Sequence, residues 1–287
     1  MTIGAERSHP SWHARRTRAL ALKAERPHAT DLLGGYLGVL DQQERLYAIS
    51  RDGHWPDLRN AEGDARPMLR LERLPYESLA RTFGEFVREL RQVMPDTLAP
   101  AVATLDAAHA GLSADLLRDA AARRPLSLRA ESLRTDAATL EFFCRAFLQP
   151  IAEALAHSYA EPTSKRTDAT CPLCGWPPQF ALLQDEPEVQ GRRSLVCALC
   201  SVEWTFARSV CVNCREDEAE RLDYHVADSV PHVRIEACTS CRTYLKIIDL
   251  RAEGTLAPVV DEIASVELDL WCDEQGLTKL QRNLLGM

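Results

Sequence analysis

Eight of the ten cysteines in this 287-residue chain fall in four Cys-x-x-Cys pairs: Cys171/Cys174, Cys197/Cys200, Cys211/Cys214 and Cys238/Cys241. The first pair maps onto the third by adding 40, and the second onto the fourth by adding 41. Such a period marks a duplicated small unit. Two cysteines three positions apart on a tight turn direct both sulfurs at one ion. Two such turns at the ends of a hairpin place four sulfurs around a tetrahedron. The spacing therefore predicts two metal ions, one per repeat, with all eight cysteines as ligands. Iron and zinc both suit four thiolates, and iron so held cycles between two oxidation states. Disulfides fit poorly, because the chain shows no secretory signal. A redox pair accounts for one Cys-x-x-Cys, but not for four at duplicated spacing.

A unit of about 40 residues lies near the size at which an apolar core alone fails to hold a fold. A structural tetrathiolate contributes about 10–16 kcal/mol apparent in small zinc peptides. The first hook, Cys171-Pro-Leu-Cys-Gly175, ends in a glycine that suits a positive φ. Ser201, Arg215 and Arg242 follow the other three hooks, and the same geometry carries a backbone penalty there. Cys144 sits in an apolar helical run and reads as core. Cys272 has no evident partner. His225 and His232 lie near the second site, which four cysteines already complete.

These hooks need hairpins to position them. In the first repeat, 179–184 and 192–199 read as paired strands, with a third over 202–210. In the second, 222–227 and 233–237 flank a turn, and 243–250 matches the third strand. Residues 161–170 are polar and without apolar period, the pattern of a linker. The chain after 258 predicts a helix over 261–272, carrying Ile263, Val266, Leu270 and Trp271. It lies in an acidic tail that packs back and then frays.

Ahead of the linker the pattern is helical. Thr30-Asp31 opens a helix to about residue 50, with Gly34, Gly35 and Gly38 allowing close packing of another backbone. Residues 51–73 are charged and read as a surface loop. Leu79, Phe83, Phe86, Val87, Leu90 and Met94 form the clearest amphipathic stripe. Further helices follow to about 110, from a Ser113 cap to 122, and over 131–160, where Pro150 is expected to kink or split the helix. The remaining histidines are scattered without ligand spacing. The fold class is thus α+β: an N-terminal all-α domain (1–163), two tandem rubredoxin-like or zinc-ribbon metal-binding subdomains (171–210 and 211–250), then a C-terminal helix and acidic tail (251–287).

The formal net charge is −8, which argues against a nucleic-acid or anionic-membrane binder. No apolar run approaches a membrane span. Arg15-Arg16 resembles a twin-arginine signal only superficially, since Arg18 and Lys23 interrupt the apolar run behind it. Residues 1–29 carry six Arg or Lys against two Glu and read as a solvated basic arm or a short helix. A cytoplasmic location follows from these readings.

Three function classes compete. Zinc-ribbon nucleic-acid binding requires basic hairpins, but 175–196 has two Arg against three acids, and 215–237 three Arg against seven. Rubredoxin-like electron transfer is compatible with the sulfurs. A scaffold or maturation factor, not an enzyme, suits a chain without a defensible nucleophile, glycine-rich phosphate loop or carboxylate pair. Three stretches rank these. Cys171-Pro-Leu-Cys-Gly175, Cys197-Ala-Leu-Cys-Ser-Val-Glu-Trp204 with Arg208 and Cys211-Val-Asn-Cys214, and Glu236-Ala-Cys-Thr-Ser-Cys-Arg-Thr-Tyr-Leu-Lys246 resemble the FdhE family of formate dehydrogenase accessory proteins. The resemblance covers the metal-binding half; the helical half is similar only in character. It implies a cytoplasmic factor in the formation of respiratory molybdenum or tungsten formate dehydrogenases. It implies a chaperone-like partnership with the catalytic subunit before twin-arginine export, and sites able to hold iron at the same eight cysteines. Trp204 reads as a core aromatic and Arg208 as a surface or sulfur-facing residue. Self-association is compatible with all of this.

Overall fold

Helices come first and strands second. The computed structural model describes residues 12–60, 67–159, 168–187, 189–252 and 254–287. The helical part holds α1 (Trp12–Glu25), α2 (Thr30–Asp52), α3 (Tyr76–Leu90), α4 (Ala99–Asp106), α5 (Ala110–Ala121), α6 (Ser127–Leu133) and α7 (Ala137–Tyr159). The strands are β1 (Pro178–Glu186), β2 (Val189–Cys197), β3 (Glu203–Thr205), β4 (Leu222–Val226), β5 (Val233–Cys238) and β6 (Thr243–Asp249). Helices α8 (Pro258–Ala264) and α9 (Val266–Glu274) follow, then a short β7 (Thr278–Lys279). The fold class is α+β, a helical region leading into two four-cysteine units.

The two hairpins share one sheet, in the order β3-β2-β1-β6-β5-β4. Strand β1 joins β6 in parallel through Ala181–Ile247, Leu182–Ile248 and Leu183–Asp249. Strand β7 pairs β6 at Thr243 and Tyr244, ahead of the stretch that β1 uses. The tail after α9 is thus tied into the sheet and does not fray. The third strand of the first repeat is shorter than the 202–210 stretch suggests. Only Glu203–Thr205 pairs, because β3 is an edge strand, whereas its counterpart β6 has neighbours on both sides.

Two apolar cores result. The larger joins α3 to α7 with the first repeat, and contains Phe83, Phe86 and Phe147 together with Cys171, Cys174, Cys197 and Cys200. Phe147 takes Phe83 and Phe86 edge-on at 5.3 and 5.5 Å. The second core sets α1, α2 and α8 against the sheet. Cys144 is buried in the first core and Cys272 in the second.

Several helical expectations change in detail. Helix α7 runs unbroken through Pro150. Proline lacks the N–H that would bond the carbonyl four residues back, and that carbonyl, on Ala146, accepts instead from Gln43 Nε2 at 2.9 Å. Residues 127–133 form a separate helix, closed by Arg134 in the left-handed conformation. The cap of α5 is His109, whose ring accepts from the Leu112 N–H, and Ser113 lies buried inside the helix. Gly38 permits a close approach, but of the Val93 side chain rather than of another backbone: a Cβ there would stand 2.6 Å from Val93 Cβ, and one on Gly35 would meet nothing within 4 Å. The 51–73 stretch is no simple surface loop, for Leu58, Leu69 and Leu71 are buried. At the C-terminus two short helices replace one, and Leu270 faces outward. Most of the linker, 161–167, and the first eleven residues lie outside the described residues.

The basic N-terminal stretch is a helix from Trp12, the second of the two readings above; its Arg15 and Arg18 are buried, while Arg16 is half-exposed. Arg15 meets Glu153 at 3.1 Å, and Arg18 meets Asp261 at 2.7 Å; all four residues are buried. Asp261 also lies 3.1 Å from His232 Nε2 and accepts the Ala257 N–H. Burial alone would raise the Asp261 carboxyl, but hydrogen bonds from His232 and Arg18 outweigh it and hold it below the ordinary range. A depressed folded value stabilises fully above the unfolded value of about 3.9, and the contribution fades as pH falls toward the folded value.

Two stability outcomes follow. Gln43→Ala strands the Ala146 carbonyl and is expected to lower stability by about 1–3 kcal/mol in urea unfolding; an unchanged midpoint would refute the compensation. Asp261→Asn removes the buried carboxylate charge that faces Arg18 and His232, an expected loss of about 3–5 kcal/mol at neutral pH. The same variant should lose less stability than wild type between pH 5 and about 3, and equal acid sensitivity would contradict the assignment.

Candidate metal centres

Three of the four hooks share one closing bond. The N–H of the residue after the second cysteine bonds back to the carbonyl of the first: Gly175 to Cys171 at 2.9 Å, Arg215 to Cys211 at 3.1 Å, Arg242 to Cys238 at 2.9 Å. The first cysteine's N–H bonds five residues on, Cys171 to Trp176, Cys197 to Val202 and Cys211 to Glu216. The residue after each hook takes positive φ: Gly175 at 80°, Ser201 at 56°, Arg215 at 69° and Arg242 at 58°. The penalty expected for the three non-glycine residues, about 1–2 kcal/mol each, is therefore present.

The side chains show what each residue gains there. Ser201 Oγ donates to Glu153 Oε1 at 2.7 Å, the same carboxylate that Arg15 holds. Arg215 lies over Phe206 at 5.3 Å, and Arg242 donates to the Gln275 carbonyl. A glycine would relieve the backbone but lose these contacts.

The eight cysteines gather four and four. Cys171, Cys174, Cys197 and Cys200 form one group; Cys211, Cys214, Cys238 and Cys241 form the other. Within each group the sulfurs lie inside 4.8 Å of one another. In the first, Cys171–Cys200 is 3.5 Å, and Cys174 stands 3.4 Å from Cys197 and from Cys200. In the second, Cys211–Cys241 and Cys214–Cys238 are both 3.7 Å. A tetrahedron with metal–sulfur bonds of about 2.3 Å has edges of about 3.8 Å, and a disulfide would close to about 2.0 Å. The donor set thus fits one ion at each group, two in all. His225 packs at a tilt against Trp271 and His232 bonds Asp261; neither stands in a cysteine group.

The two groups differ in solvation. All four cysteines of the first are buried in the large helical core, whereas Cys214 is exposed and Cys241 half-buried in the second. Burial pushes the Cys174 and Cys200 thiols well above their ordinary value. At Cys197 hydrogen bonds from the neighbouring thiols outweigh burial and hold it well below. The Leu199 and Cys200 N–H groups also point at Cys197, at 3.4 and 3.5 Å. Burial opposes ionisation at Cys241 too, but Thr243 and Asn213 pull it down to about 6.

Support for the first hook comes from a stretch with no sequence signal beyond its leucines. Met68 and Leu69 N–H groups donate to the Pro172 and Leu173 carbonyls at 3.1 and 2.8 Å. Trp176 Nε1 donates to Ala121 O at 3.1 Å, capping the end of α5. Trp204 is core, as expected, with Nε1 on Asp168 O. Arg208 faces away from sulfur and donates to the Gln190 and Gly191 carbonyls.

Known proteins resemble this chain in sequence over its second half and in fold. Residues 170–208 match the family model described as the FdhE central domain, and residues 210–285 match the FdhE C-terminal domain. Residues 170–285 thus carry the two FdhE domains. An FdhE homolog of Aquifex aeolicus is 38% identical over 147 residues, covering 51% of this chain and 52% of that protein. One of Stutzerimonas stutzeri is 36% identical over 123 residues, 42% of this chain and 40% of its own length. The matched stretch thus spans about half or less of these relatives. The crystal structure of FdhE from Pseudomonas aeruginosa shares the fold across 97% of this chain and 96% of its own, with a TM-score of 0.71 at 24% identity. The FdhE central domain here carries the first cysteine group, and the C-terminal domain carries the second with α8, α9 and β7.

Protein loaded with two zinc ions is expected to release one rapidly to a colorimetric chelator, and the other only on unfolding. Cys214→Ser should abolish the fast phase and keep the fold by circular dichroism, while Cys174→Ser should destabilise the helical core. Two ions leaving at one rate would contradict the difference in solvation.

Proposed function

We propose that this protein is a cytoplasmic accessory factor of the FdhE family in the formation of respiratory formate dehydrogenase. It binds the catalytic subunit of that enzyme before twin-arginine export and catalyses no reaction itself. The observation that carries this reading is the pair of FdhE domains, each folded around a complete set of four sulfurs. Four protein ligands fill a tetrahedral shell and leave no position for a substrate, the signature of a structural centre.

The eight ligands are Cys171, Cys174, Cys197 and Cys200 for one ion, and Cys211, Cys214, Cys238 and Cys241 for the other. The ion is iron or zinc, since thiolates suit both. Charge closely packed on four sulfurs needs a cation to offset it. The location in the cytoplasm is supported by the family alone; no described helix is long and apolar enough to cross a membrane. A second reading, rubredoxin-like electron transfer, is favoured by one feature, the exposed Cys214 at the second centre. Iron there would supply a one-electron couple within reach of a partner.

The test is a deletion strain assayed for formate-dependent respiration. Wild-type protein is expected to restore activity and to retrieve the catalytic subunit on a tag, and Cys174→Ser to lose most of both. Full activity in the deletion strain, with no subunit retrieved, would sink the accessory role. Protein carrying only zinc that restores full activity would remove the electron-transfer reading.

A further inference from the structure

A cavity of about 670 Å³ opens where α2, the turn after α3, the α5–α6 connection and α7 meet the C-terminal segment 281–286. Its volume lies in the range of about 300–1,000 Å³ usual for ligand sites. Leu32, Met94, Leu98, Phe142 and Trp176 give it an apolar wall. No cysteine of either metal group lines it.

Its charge runs against that of the chain. Arg123, Arg124, Arg145 and Arg282 line it against Asp31 and Glu141, four minus two, in a protein of net charge −8. Arg124 is already paired with Asp119. Arg123 and Arg282 are exposed, and neither enters an ion pair among the described residues. Arg145 is 7% exposed and spends its terminal nitrogens on the Arg282, Gln179 and Ala198 side. Its Nε has no partner. Asp31 and Glu141 are likewise exposed and enter no ion pair among the described residues, so the surplus positive charge is that of buried Arg145; an apolar trough with such a surplus favours an apolar ligand that carries negative charge.

We propose that this cavity docks an apolar segment of the client protein bearing acidic side chains, an assignment that rests on the accessory role above. The acidic groups meet Arg123 and Arg282, and the apolar side chains fill the space beside Phe142 and Trp176. Trp176 follows Gly175, the residue that closes the first hook, and its backbone carbonyl accepts the Cys171 N–H. The wall of the cavity is therefore positioned by the first centre, so client docking depends on that centre being folded.

The probes are two fluorescein-labelled acetyl peptides, Leu-Glu-Phe-Leu-Glu and the same sequence with Lys for Glu, read by anisotropy on the full chain. Gly35 offers a clean block. It lines the cavity, and a Cβ built on it meets nothing within 4 Å. The acidic peptide is expected to bind at least about tenfold tighter than the basic one. Arg123→Glu with Arg282→Glu should invert that order, and Gly35→Phe should abolish binding while keeping the melting temperature. Equal affinity for both peptides, binding of neither, binding of octanoate alone, or unchanged binding in a folded Gly35→Phe would each overturn the proposal. Retrieval of the formate dehydrogenase catalytic subunit separates the two ideas. If the variants retrieve it as well as wild type does, the cavity proposal falls and the accessory role stands. If wild type retrieves none yet discriminates the peptides as expected, the accessory role falls and the acidic-segment site stands.

Discussion

Three parallel residue pairs between β1 and β6 set the arrangement of everything around them. Each hairpin alone is a small ribbon with its own cysteine group. Joined side by side in parallel, they start from the same end of one sheet. With Ala181 opposite Ile247, the hooks at Cys171–Cys174 and Cys238–Cys241 fall near the same level. Both cysteine groups therefore lie toward one end, and the segment after α9 runs between them. Its β7 pairs next to the fourth hook, and its Arg282 carbonyl reaches Arg145, which also holds Ala198 in the second hook. A buried ion pair between Arg193 on β2 and Glu236 on β5 ties the two repeats across that seam.

The repeats share spacing but not environment, and environment decides how they behave. The first centre sits in the apolar cluster of α3 to α7, so its hooks are held by helices as well as by sulfur. The second has, among the described residues, a satellite core of Cys211, Leu222 and Cys238 with Cys241 packed against it. Few apolar contacts around a site mean local opening at low free energy. An ion held at the second centre would on leaving disturb little beyond its own loops, whereas one leaving the first would open the apolar cluster that its cysteines share with α3 to α7.

Much of this was legible beforehand, and the reasons are local. Hook spacing, positive φ after each hook and the hairpins around them depend on residues a few positions apart. Ser201, Arg215 and Arg242 read as backbone penalties, and they are; the contacts that offset them come from Glu153, Phe206 and Gln275, distant in sequence. The same limit explains the N-terminal helix. Arg15 and Arg18 carry the composition of a solvated arm, and only the folded chain shows Glu153 and Asp261 waiting for them. His109 displaced Ser113 as a cap because ring geometry three residues before Leu112 matched the free N–H. Pro150 reads as a kink or a split because its rescue by Gln43 lies over 100 residues away.

Charge buried beneath the sheet shows why the tail does not fray. Lys246 on β6 is fully buried and donates to Asp269 Oδ2 at 2.6 Å and to the Glu262 and Ser265 carbonyls. Lys279 on β7 completes the set with Glu262 and Asp269, and Tyr244 donates to Asp269 at 2.8 Å. Two lysines balance two carboxylates. Desolvating such a network takes back most of what its attraction returns, so it adds little net stability. Its consequence is positional. An apolar α8–α9 face could slide on the sheet, but displacing either lysine leaves a buried charge unpaired, at roughly 3–5 kcal/mol. That penalty fixes β7 beside Thr243 and sends residues 281–286 past α7, where they form one wall of the arginine-rimmed cavity.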